Sequence, residues 1–358
     1  MDSRIVEPNS PCHWHPNVCD SLKLLLVTAA LHVLVYLFLP IPAAWVEAVH
    51  AHAVFPAMRW VLGAPLSVFP FSVGQIVVVG VVGLALAAAT LTVIRRPRAA
   101  KRAARALAVA LAIGAHVYLL GFGWLYHRPP LSARLGLVAA NSPAAFQKAA
   151  LACARDARDG RCTVPAGLDA ATIRALAVEA VRRVLPELGA SALPPTTVKQ
   201  VIPTGILMHF GVSGVFSPFT QEPNVDPGLD PIQLASVAAH EVAHLAGFAS
   251  EDEANFVAWL ACTRSPEPML RYAGHVALLA TFASAANPTL ARQLRQTAGP
   301  EVQKDRRRMA RRWAVYYSRR LARVQRVVYD KVLRSQGVRS GIHSYGEVVR
   351  LVLSWLAR

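Results

Sequence analysis

Residues 240–244 read His240-Glu241-Val242-Ala243-His244. Side chains four apart on a helix share a face. His240 and His244 can therefore present two imidazole nitrogens to one metal ion, and Glu241 stands beside them, able to hold and deprotonate a water there. That is the spacing of a zinc-hydrolase site, with Zn2+ as the expected ion. The flanking residues make the helix credible. Asp230-Pro231 supplies an N-cap and a first helical residue that needs no N–H. Residues 232–246 hold no Gly or Pro, and Gly247 supplies a stop.

A catalytic zinc site needs a third protein ligand and an open position. The next segment, Ser250-Glu251-Asp252-Glu253, opens a second helix, with Ser250 and Glu253 set out as a capping box. Glu251 is the first candidate for third ligand, with Asn255 on the same face as its hydrogen-bonding support. Glu253 is the second. In the metzincin pattern HExxHxxGxxH the third ligand falls six residues after the second His. Here that position is Ser250, a poor zinc ligand, so two histidines and a glutamate are the expected set.

The surrounding chain is apolar. Mean hydropathy is +0.35 over 358 residues, and 16% are charged. The excess is N-terminal and predicts three transmembrane helices near 22–39, 73–94 and 106–126, in a membrane domain of residues 1–127. Between the second and third runs, residues 95–105 carry six basic and no acidic side chains. Positive loops stay in the cytoplasm. The expected topology is a multi-pass inner-membrane anchor with the remaining chain, 128–358, on the extracytoplasmic side. Residues 41–71 would then be an external interfacial or re-entrant piece.

The expected fold class is α+β, mostly helical, with a small sheet. Helices are predicted over 143–159, 169–185, 269–285, 301–335 (one long basic helix or a pair) and 344–357, and short strands over 198–202 and 214–219. The strand at 214–219 would line the cleft, with Glu222 at its rim. Residues 304–334 hold 12 basic and two acidic side chains. Val324, Val327, Val328 and Leu333 interleave them and suggest a core-facing side. Cys153 and Cys162 are spaced for a disulfide if external. Cys12, His13, His15 and Cys19 match no strong zinc module.

Three stretches together resemble one family: VFSPFTQEPNVD at 215–226, HEVAHLAGFASEDEANFVAWLAC at 240–262 and SQGVRSGIHSYGEVVRLVL at 335–353. They are similar to the bacterial membrane-anchored family of domain of unknown function 3810. That family in turn resembles zincin metallopeptidases of the gluzincin type. The resemblance implies a zincin-like metalloprotease domain, zinc on His240, His244 and a glutamate of 251–253, and Glu241 as general base. Tyr345, with His343 second, is the candidate donor to the carbonyl oxygen on which charge builds. The expected activity is hydrolysis of peptide bonds in external or envelope proteins. The alternative is a silent zincin-like scaffold that binds peptide or protein partners. The expected contacts are the lipid bilayer, a peptide or protein substrate, and anionic lipid or envelope polymer along 304–334, with no nucleic acid.

Overall fold

The structure, a computed structural model, describes residues 16–140, 142–163, 165, 167–336 and 345–358; the side chains of 16–19 and 345–346 lie outside the description, as do Cys12, His13, His15 and His343. Three helices are long and apolar enough to cross a membrane: α1 (Pro16–Phe38, apolar from Asp20), α2 (Val73–Val93) and α3 (Pro97–Gly121). The third begins nine residues earlier than the apolar run alone suggested. Pro97 fits a first helical turn, and Arg98, Lys101, Arg102 and Arg105 are helical rather than looped.

Two compact units follow. One comprises the chain up to Leu39 and Val79–His116; there α1 and α3 meet through the Nδ1 atoms of His32 and His116, 3.0 Å apart. The other comprises Pro40–Val78 and Val117–Arg358. The unit that holds the candidate site is thus wider than residues 128–358. It takes in the segment between the first two apolar helices.

That second unit contains α4 (Pro143–Asp159), α5 (Ala170–Val184), β1 (Lys199–Gln200), β2 (Gly214–Ser217), β3 (Glu222–Val225), α6 (Pro231–Leu245), α7 (Glu251–Thr263), α8 (Pro268–Ala285), α9 (Pro288–Tyr316), α10 (Arg319–Ser335) and α11 (Tyr345–Leu356). Helix α6 is its centre. Helices α5, α7 and α8 and strands β2 and β3 all pack on it. Its alanines (Ala235, Ala238, Ala239, Ala243) are buried and let these neighbours approach closely. The basic stretch resolves into two helices with Tyr317-Ser318 between them, and Gly299, at φ 76°, kinks the first.

The sheet has order β1-β3-β2. β1 runs parallel and β2 antiparallel to β3, with Val215 opposite Asn224 and Phe216 opposite Pro223. Strand β3 escapes a propensity reading because it carries Glu222, Pro223 and Asn224. Pro223 is tolerated because β1 is two residues long and reaches only Asn224 and Val225. Glu222 does not rim a cleft. Its carboxylate is buried and accepts from Val73 N (3.2 Å) and Gly74 N (2.6 Å), anchoring the start of α2. Gln221 Nε2 likewise donates to Gly121 O, at the end of α3 (3.1 Å).

Residues 43–66 form a continuous helical stretch in which α and π turns alternate, the π turns at Val46–Val54 and Arg59–Gly63. Each precedes a proline, Pro56 or Pro65. A proline ring clashes with the carbonyl four residues back and removes its own N–H, which favours a widened turn. Cys153, Cys162 and Cys262 are free thiols; Cys153 is buried and donates to His275 O, so the spacing-based pairing with Cys162 is not formed.

Candidate metal centre

Asp230 caps α6 through Ile232 N (3.1 Å), as its sequence position implied. The other end is set by Gly247 at φ 97°. Its N–H bonds His244 O (3.0 Å) and the N–H of Phe248 bonds Ala243 O (3.2 Å), a Schellman turn. The turn delivers the Phe248 carbonyl to His244 Nδ1 at 2.8 Å. His244 Nδ1 must then carry the proton, so the lone pair of Nε2 faces outward. Glycine is required twice over, because a Cβ at 247 would also sit 3.0 Å from the Phe55 ring. Two arginines from earlier in the chain complete this end: Arg59 Nη1 donates to Leu245 O (3.0 Å) and Arg128 Nη1 to Gly247 O (2.9 Å). Cations favour the negative end of a helix dipole. Arg128 is held by both oxygens of Glu47 (2.7 and 2.8 Å).

At the turn, α7 folds back and brings Glu251 to the histidines. His240 Nε2 lies 3.1 Å from His244 Nε2 and 3.2 Å from Glu251 Oε2; His244 Nε2 lies 3.7 Å from Glu251 Oε1. Ligands about 2.0–2.1 Å from a tetrahedral zinc stand about 3.3 Å from one another. His240, His244 and Glu251 each offer one ligand atom within 4.8 Å of the others, and they are the group that could hold a metal ion among the described residues. Burial disfavours charge here, yet the hydrogen bond and charge of Glu251 outweigh it and hold His240 up to about 9. Burial lowers His244 to about 4. Burial also opposes ionisation of Glu251, but its hydrogen bond to His240 and the imidazole charges keep it well below the carboxylate range. The site therefore favours an anion facing a cation.

The two glutamates of α7 part company. Glu253 turns away from the cluster: its carboxylate accepts from Leu131 N (2.6 Å) and Arg134 Nη2 (2.8 Å). The capping box expected with Ser250 does not form, because Arg134 takes the carboxylate and the Ser250 hydroxyl bonds Asp252 instead. Asn255 lines the same cleft, and among the described residues no hydrogen bond joins it to Glu251. The partner of Glu251 is Tyr329, whose hydroxyl on α10 donates to Oε1. Sequence reading missed Tyr329. Its signal was the stripe Ala322, Gln325, Tyr329 and Leu333 at three- and four-residue spacing within a basic helix; Val324, Val327 and Val328, read as core-facing, are exposed. The expected donor Tyr345 begins α11 with its side chain outside the description, and His343 lies outside the described residues.

Glu241 points the other way from α6, toward β2. Burial pushes its carboxylate up to about 8. A Cβ at Gly214 would stand 2.5 Å from Glu241 Oε1, so only glycine admits the carboxylate there. The four residues open on a cleft of about 860 Å3, walled by Phe122, Phe216, Val215, Tyr126 and Tyr329 among others. Phe122 meets His244 edge-on, with ring centroids 6.0 Å apart.

The family model described as protein of unknown function (DUF3810) matches residues 50–353. The chain belongs to this family. The match includes the π-turned segment from His50, the buried β3 and both ligand-bearing helices. Comparison with curated proteins and with solved structures returned no match.

Proposed function

We propose that this DUF3810 protein is a membrane-anchored, zinc-dependent peptidase with a zincin-like site. The observation that carries the reading is the convergence of His240, His244 and Glu251, with one ligand atom of each within 4.8 Å of the others and Glu241 at the wall of the same cleft. When bound, zinc supplies a Lewis acid that polarises a carbonyl and acidifies water. His240, His244 and Glu251 would hold it, with Phe248 O and Tyr329 fixing two of the three ligands. Glu241 takes a proton from the attacking water and returns it to the leaving amine. β2 is the outer strand of the sheet, so an extended peptide can pair along Val215 with its scissile bond over the cleft. The basic residues 95–105, at the start of α3, support a cytoplasmic connection between α2 and α3 and, with it, a cleft outside the cytoplasm.

The test is the full chain in detergent. One zinc per chain is expected by metal analysis, with cleavage of a casein or peptide library abolished by chelator. Glu241→Gln should lower turnover about a thousandfold or more with zinc content unchanged. Zinc binding without turnover in the unaltered protein would instead support the silent scaffold. No zinc uptake would overturn both.

A further inference from the structure

Helix α10 has two uses of its surface. One edge, Ala322, Gln325 and Tyr329, faces the cleft. Next to it runs a stripe of Leu321, Val324, Val328 and Val332, of which Val324 is 61% and Val328 56% exposed. These positions, spaced three or four residues apart, form one continuous line along the helix. Beyond them stand Arg320 and Lys331, with Arg319, Arg323 and Arg326 following; the helix carries a single acid, Asp330, paired with Arg334 (2.7 Å). A soluble helix does not leave such a stripe in water. An apolar strip bordered by arginines is the composition of a helix lying in an anionic headgroup layer.

The cleft supplies the second observation. Its lining also includes Tyr118 and Phe122; Tyr118 lies in the last turn of α3, a helix long and apolar enough to cross a bilayer. Its mouth carries further exposed apolar side chains: Phe210, Val215 and Tyr317. Thus part of the lining comes from the end of a helix apolar enough to span a bilayer, and part from an amphipathic helix suited to the bilayer surface.

We propose that the stripe of α10 seats in the surface of an anionic bilayer, and that the cleft consequently takes peptide segments presented from that surface, juxtamembrane or lipid-anchored, rather than freely diffusing ones. The second half rests on the peptidase reading; the first does not. Docking also bears on the site, because Val328 and Val332 flank Tyr329, the residue that holds Glu251.

Two measurements on the full chain in vesicles separate these. A fluorophore is placed at Val324→Cys or Val328→Cys, and at Thr289→Cys on α9 as an exposed control, with Cys12, Cys19 and Cys162 replaced by serine. Nitroxide-labelled lipid should quench the α10 probes about threefold more than the control, more so in phosphatidylglycerol-rich than in phosphatidylcholine vesicles. Quenching equal to the control, or loss of the difference only when dextran sulfate competes in solution without lipid contact, would overturn docking. Val324→Asp with Val328→Asp, both on the surface, should abolish quenching of a probe at Leu321→Cys. In the second measurement one peptide is supplied free or palmitoylated in the same vesicles. Cleavage of the palmitoylated form about tenfold faster is expected from its raised local concentration. Equal rates would refute presentation from the bilayer. Cleavage of neither form, with quenching intact, would sink the peptidase reading and leave the docking surface standing.

Discussion

Two groups of buried charge in this molecule behave differently. Around residues 43–78, Arg59, Lys199 and Glu222 spend their hydrogen bonds on backbone. Arg59 donates to Leu245 O and Ala192 O, Lys199 Nζ to Ser67 O (2.9 Å) and Phe69 O, and Glu222 accepts from two N–H groups at the head of α2. In the cleft, His240, His244, Glu251 and Glu241 face one another or open space. A charge that closes a backbone terminus is complete when the chain is folded. A set of lone pairs aimed at one point is complete only with a ligand. The first group should therefore govern stability and the second chemistry.

Three substitutions test that division. Arg59→Met removes a wholly buried guanidinium and strands the Leu245 carbonyl. The loss should be about 3 kcal/mol of stability, seen as a lower unfolding midpoint in detergent, with turnover per folded molecule nearly unchanged. Should Arg59→Met instead leave the midpoint alone and depress turnover, the two groups are not separable. Gly214→Ala places a methyl where Glu241 Oε1 now lies. Displacing the base by an ångström should cost about a hundredfold in turnover per folded molecule with zinc content near that of the parent, and the contact with Asn224 O, 2.8 Å from the new methyl, should lower the unfolding midpoint. An alanine variant of full activity would remove Glu241 from its assigned place. Tyr329→Phe deletes the donor to Glu251 and should weaken zinc binding about tenfold, measured by competition with a chromophoric chelator. Unchanged affinity would make the contact incidental to metal binding.

What the sequence disclosed follows the same division. The helix bearing the histidines was legible because its cap, its stop and its four-residue spacing are all local. Glu251 was legible because the turn at Gly247 is local too. The choice between Glu251 and Glu253 was not, since it depends on Arg134, more than a hundred residues earlier, drawing Glu253 aside. Tyr329 was hidden for the same reason: its contact with Glu251 is made 78 residues down the chain, from a helix whose charges dominate its composition. Residues 41–71 read as an interfacial piece because apolar and aromatic content alone cannot reveal that Arg59 ends up beneath α6. The peptide-hydrolysing role and the side of the membrane are beyond what local pattern decides, and they stand on the experiments above.

The contact between Arg59 and Leu245 spans 186 residues. The ribosome makes the arginine first and finishes the helix it grips much later. Until then the guanidinium has no carbonyl to meet and must stay hydrated. A fragment beginning at Arg128 would leave Leu245 short of a donor, Arg128 without Glu47 to hold it, and Phe55 missing from beneath the turn. Folding of this unit is thus ordered: residues 40–78 are made first, and α6 is completed only when it meets the segment that preceded it off the ribosome.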